Sequence, residues 1–270
     1  MARIRNRIVV ITGAASGVGR ACALEFARRG ASVIVTARPE YALEDLARAC
    51  RGFGGRSISM PADPGNPAET NAVARAAVEQ LGRLDVWVNN AAVKLHVPFS
   101  EVSTDEFRRA IESNLFGFVN GARAALPWFR SQGGGVLIFN AVSFARAGAS
   151  YDSAWATSRA GIVGFAESLR WEVRKERIRV CTVLPAEDGP RTRRLEQSPL
   201  RVARTIVSCA AHPRDEVVLG RRRGSVALSR RLARRNVRRQ LARDHAWGDR
   251  LLLPTTPRPA AARLASLGVR

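Results

Sequence analysis

Residues 7–38 read RIVVITGAASGVGRACALEFARRGASVIVTAR, one complete strand–helix–strand unit. Two β-branched runs, RIVVIT (7–12) and SVIVTA (32–37), flank a segment of helical length at 17–29. Gly13, Gly17 and Gly19 lie between the first strand and that helix. Glycines at this junction let the backbone turn tightly and approach a pyrophosphate, whose charge then meets the helix N-terminus. The context is the one such a turn requires, because it opens the first strand–helix–strand unit of the chain. Gly13, Ser16, Gly17, Val18 and Gly19 are therefore candidate cofactor-binding residues.

Working outward, the alternation continues. Further strands are expected at 57–60, 84–90, 135–140 and 178–184, and helices at 41–51, 67–81, 104–131 and 153–176. The strands are almost continuously apolar, as they are when both faces of a sheet are covered. Alternation of this kind implies an α/β fold with a doubly wound parallel sheet, with ligands beyond the carboxyl ends of its strands. Residues 1–220 are expected to form that single domain, and 221–270 a basic C-terminal helix and a disordered end.

Composition narrows the class. The chain has 270 residues, 46% hydrophobic and 25% charged, enough apolar content for a sizeable core. No apolar run approaches the roughly 18–20 residues that span a bilayer, and the basic start runs directly into the first strand without a signal-peptide pattern. The four cysteines (Cys22, Cys50, Cys181, Cys209) include no CxxC, which predicts reduced thiols, no metal site and a cytoplasmic protein. Net charge is +21, yet residues 191–270 hold 20 arginines and 5 acids, so +15 of the excess is C-terminal. Within RRRGSVALSRRLARRNVRRQLAR (221–243), Leu228, Leu232, Val237 and Leu241 recur at roughly helical spacing. Packing of this stripe on the domain or on a partner subunit is the favoured reading. An anionic membrane surface comes second, and nucleic acid last, for want of interleaved aromatics or a known module.

Three more segments point to a nucleotide. Asp63 follows the third strand, where a carboxylate can hold an adenine amino group; Asn90 and Ala91 lie in NNAA (89–92) at the end of the fourth; Asn114 lies in the next helix. With TGAASGVG (12–19), NNAA and NLFG (114–117) in this order, the chain resembles the short-chain dehydrogenase/reductase family from about Arg7 to Gly220. The resemblance implies a single Rossmann domain that transfers hydride between NAD(P) and an alcohol or carbonyl, in a homo-oligomer. Where NAD users of the family often carry an acid after the second strand, this chain has Arg38, which favours NADP because a guanidinium pairs well with a 2′-phosphate.

At the catalytic positions the resemblance breaks. The family uses a Ser after the fifth strand, a Tyr-x-x-x-Lys on the following helix and a supporting Asn, for which Asn114 fits. The flanking residues Tyr151-Asp152-Ser153-Ala154 and Ala160-Gly161 set the register. Val142, Trp155 and Arg159 then stand in place of the Ser, Tyr and Lys. Indole has no titratable hydroxyl; valine has no polar group; arginine keeps the charge and a possible ribose contact as a rigid fork. General acid–base catalysis is worth about 10²- to 10⁴-fold, so the usual mechanism is expected to fail. Tyr151, or Ser143 one place beyond the expected serine, together with Arg159, would be the substitutes in an active enzyme. His96 reads as a partly exposed loop residue. A third reading is a scaffold acting through its arginine-rich tail.

Overall fold

A computed structural model describes residues 4–38, 40–141, 151–185 and 198–219. Its elements, in chain order, are β1 (Ile8–Thr12), α1 (Gly17–Arg28), β2 (Ser32–Thr36), α2 (Glu40–Arg51), β3 (Ser57–Ser59), α3 (Pro67–Leu81), β4 (Val86–Asn89), α4 (Thr104–Ile111), α5 (Gly117–Ser131), β5 (Gly135–Asn140), α6 (Ser153–Glu172), β6 (Ile178–Leu184), α7 (Pro199–Ala211) and β7 (Glu216–Val218). The seven strands form one sheet in the order β3-β2-β1-β4-β5-β6-β7. Every pairing is parallel. The order reverses between β1 and β4, and ligands of doubly wound sheets bind at such a reversal.

Alternation along each strand builds two cores. Val9 and Ile11 of β1 pack with Phe26, Leu43, Leu46 and Val207 from α1, α2 and α7. Val10 of the same strand packs on the opposite face with Val73, Phe118, Phe129 and Ile162 from α3, α5 and α6. Period-two alternation is what allows one strand to serve both layers.

Helix ends follow their local chemistry. Asn66 caps α3, its side chain accepting from the N–H groups of Ala68 and Glu69, with Pro67 in the first turn. Ser103 and Glu106 close a capping box at α4.

Two departures from the sequence reading bear on the site. The expected long helix over 104–131 is interrupted by a π turn at Glu112–Phe116, between α4 and α5. A π turn adds a residue to the turn and re-aims its side chains, here around the buried Asn114. Helix α7 and the edge strand β7 were not anticipated; the strand is only three residues long and carries no turn signal.

Trp87 of β4 is fully buried and donates from Nε1 to Oδ1 of Asn89 at 3.0 Å, holding the end of the strand that leads into the site. Trp87→Phe leaves that buried oxygen without its donor and should destabilise the fold by about 1–3 kcal/mol. A lower urea midpoint with an unchanged slope is the expected result.

Candidate functional site

The carboxyl ends of β1 and β4 are fastened by one hydrogen-bond network. The Thr12 hydroxyl accepts from the backbone N–H groups of Asn90 (3.0 Å) and Ala91 (3.1 Å). The Asn90 amide donates back to the carbonyls of Thr12 (3.1 Å) and Gly13 (3.2 Å), and accepts from the Asn140 amide at 2.8 Å. Asn90 thus acts by holding the glycine turn in place, drawing β1, β4 and β5 together.

The turn itself needs glycine. Gly13 has φ +63° and lies so close to Ala91 that an added Cβ would sit 2.6 Å from its Cα. Gly17 also has a positive φ, but nothing lies within 4 Å of where its Cβ would be. Ser16, the N-cap of α1, makes no side-chain capping bond. Gly13, Ser16, Gly17, Val18 and Gly19 are therefore brought together at a helix N-terminus, with open space before Gly17. That arrangement fits a pyrophosphate.

Beyond the turn, Arg38 and Asp63 line an open cavity of about 820 Å³, with Val93, Leu95, Arg109 and Arg123 among the other lining residues. Arg38 is exposed. One Asp63 carboxylate oxygen accepts from the Gly65 N–H at 2.8 Å, which fixes its orientation at the cavity wall. Among the described residues no three His, Cys, Asp or Glu side chains gather as metal ligands, and no helix is long and apolar enough to cross a membrane.

On the other side of the β4 loop, Asn114 works as a clamp. Its amide oxygen accepts from the Val93 N–H at 2.7 Å and its nitrogen donates to the Val93 carbonyl at 2.8 Å. The asparagine fixes the loop that follows Ala91 and Ala92, and the π turn aims it there.

Trp155 and Arg159 are one turn apart on α6. The Arg159 guanidinium lies over the indole of Trp155, 3.9 Å from the ring centroid, and 5.5 Å from that of Phe118. The Arg159 residue is only 2% exposed, and one terminal nitrogen points at the Asn140 carbonyl at 3.4 Å. A desolvated stack of this kind is worth about 2 kcal/mol or more. It covers the charge that was expected to reach a ribose.

Tyr151 is 55% exposed with φ +64°, a conformation that non-glycine residues seldom adopt. Its carbonyl accepts from the Val97 N–H at 2.9 Å, and its ring meets that of His96 edge-on at 5.7 Å. His96 Nδ1 is 2.8 Å from Asp152 Oδ1, and Lys94 Nζ is 3.3 Å from Oδ2. The Asp152 side chain is 5% exposed, that of His96 61%. The sequence reading missed this cluster, since residues 94–96 and 152 lie far apart in the chain and no motif links them. Val142 and Ser143 lie outside the described residues, as do 186–197 after the sixth strand and the arginine-rich segment 221–270.

The family model for short chain dehydrogenases matches residues 7–193. The chain belongs to the short-chain dehydrogenase family. It is 29% identical to the uncharacterized oxidoreductase YxnA of Bacillus subtilis, over 96% of this chain and 78% of that one. It is 31% identical to dehydrogenase/reductase SDR family member 7B of Bos taurus, over 81% and 74%. A short chain dehydrogenase structure from Mycobacterium smegmatis superposes with a TM-score of 0.76 at 26% identity, covering 83% of this chain and 95% of that chain. A metagenomic short-chain oxidoreductase in complex with NADP gives 0.72 at 26% identity, covering 80% and 97%.

Gly13→Ala should cost about 1–3 kcal/mol, because the positive φ and the backbone of Ala91 both oppose a side chain. A chemical denaturation midpoint at the wild-type value would contradict the packing described for this turn.

Proposed function

We propose that this dehydrogenase-family chain binds NADP(H) and that its alcohol–carbonyl oxidoreductase chemistry does not use the family's Ser, Tyr and Lys. The observation that carries this reading is the stack of Arg159 on Trp155, two residues that the sequence register sets where the resemblance expects the ammonium and the phenol. An indole N–H donates a hydrogen bond but does not titrate anywhere near neutral pH, so Trp155 supplies neither acid nor base.

The cofactor reading rests on the residues that fit it. The Gly13–Gly19 turn, with Ser16, Gly17 and Val18, would hold the pyrophosphate at the start of α1. Arg38 would pair with the 2′-phosphate, Asp63 would face the adenine, and Asn90 and Ala91 would wall the turn. Arg159 would approach the nicotinamide ribose only with the indole moved aside. When bound, the cofactor supplies or takes up hydride. The similar metagenomic oxidoreductase bound to NADP supports the same choice.

Calorimetric titration with NADPH and NADH tests the reading. Micromolar NADPH binding with weaker NADH binding is expected. Arg38→Glu should weaken NADPH by at least about tenfold, since a lost charge-assisted hydrogen bond is worth about 1.5–3 kcal/mol. Equal affinity for the two cofactors would refute the assignment of Arg38.

Restoring the family's residues with Val142→Ser, Trp155→Tyr and Arg159→Lys together tests the second half. The triple variant should gain NADPH-linked carbonyl reduction, because it adds the phenol, ammonium and serine hydroxyl through which the family moves its proton. No gain in a folded, NADPH-binding variant would mean the stack is not what limits the usual route.

A further inference from the structure

We propose that His96, oriented by the buried carboxylate of Asp152, is the general acid–base group of this site. This rests on the cofactor reading above and supplies the proton that the indole of Trp155 does not.

Geometry places the imidazole where the reaction would need it. Asp152 precedes the first turn of α6, and residues 152, 155 and 159 recur at the i, i+3, i+7 spacing that shares one helical face. Asp152, which holds His96, therefore precedes by three residues Trp155, the position the resemblance gives to the family's phenol. Residues 93–97 follow β4 beyond its carboxyl end, on the ligand side of a doubly wound sheet. Asn114 clamps this segment at Val93, and the Val97 N–H ties it to the Tyr151 carbonyl. Val93 and Leu95 line the open cavity, whereas Lys94 and His96 reach Asp152.

The chemistry of the pair fits the role. A carboxylate on Nδ1 fixes the tautomer in which Nδ1 carries the proton, leaving Nε2 as the working nitrogen. Asp152 is buried, so the anchor is held firmly, while the imidazole it orients is mostly exposed and open to a ligand. Lys94 on the second carboxylate oxygen holds Asp152 in place, and the Tyr151 ring edge limits rotation of the imidazole. Among the described residues, Lys94 faces this pair at the carboxylate and Tyr151 at the imidazole.

In carbonyl reduction, the reduced nicotinamide would supply, when bound, the hydride for the new C–H bond, and the carbonyl π pair would move onto oxygen. The Nε2–H bond of the His96 imidazolium breaks as the O–H bond forms, leaving neutral imidazole, an alcohol and the oxidised cofactor. Water then reprotonates the imidazole. Alcohol oxidation runs the same transfer backwards, with Nε2 as the base. Asp152 is a positioning residue, since it acts only through His96.

The test uses the full chain with NADPH, and 4-nitrobenzaldehyde and ethyl benzoylformate as carbonyl probes. His96→Gln should lower kcat/KM by about 100-fold with the calorimetric Kd for NADPH unchanged, and free imidazole should restore part of the loss. His212→Gln serves as the control and should leave turnover as it is. Asp152→Asn should lower kcat more than it alters KM. In ¹⁵N-edited spectra of the imidazole, the Nδ1–H tautomer seen for His96 in the wild type should be lost in that variant. If Asp152→Asn does not fold, the wild-type tautomer and His96→Gln still decide the matter. Three results would overturn the proposal: no wild-type turnover of the probes although NADPH binds, turnover that survives His96→Gln, or loss of turnover with Tyr151→Phe alone. Failure of NADPH to bind at all would instead remove the cofactor reading, and the inference with it.

Discussion

Everything at the carboxyl edge of this sheet depends on one hydroxyl. Thr12 accepts two backbone N–H bonds from the far side of the strand-order reversal, and Asn90 returns two bonds to the carbonyls of Thr12 and Gly13. The glycine turn cannot drift from β4 while those bonds stand, and Asn140 extends the same tie to β5. Three strands with separate helical crossovers are thereby locked at the level where a nucleotide would lie. The network has no charge in it, so its strength comes from geometry and burial, and replacing one partner strands the others.

Asparagine does comparable work a second time. Asn114 holds both backbone groups of Val93, and it can do so because the chain leaves α-helical geometry for one turn. The two asparagines fix successive parts of one loop, Asn90 at its start and Asn114 three residues on. Lys94 and His96 occupy a settled segment as a consequence, although it has no regular secondary structure.

Much of this was legible in the sequence. Apolar runs and helical spacing located six of the seven strands, because buried parallel strands carry an unmistakable density of Val and Ile. The glycine turn, Asn90 and Asn114 could be singled out as a family set, but what they touch could not. Asn90 reads as a ligand-side residue and proves to be a fastener. The π turn left no trace in ESNLF; what it accompanies is the tertiary contact of Asn114 with Val93, which no local pattern announces. Cys181 illustrates another limit. It reads as an ordinary core thiol, yet its hydrogen-bond partnership with Cys209 and its desolvation in β6 push its ionisation far above the usual range. The grouping of His96, Lys94 and Asp152 was likewise invisible, because it forms across 56 residues of chain.

The stack on α6 also changes what acidity can do here. A phenol beside an ammonium is a pair whose charge can be tuned, and it lets a site respond to the pH around it. Indole carries no charge at any ordinary pH and guanidinium never loses its own. The stack therefore holds a fixed positive charge, set against the rings of Trp155 and Phe118, that no proton can switch. Any response of the site to acidity has to come from groups outside the stack.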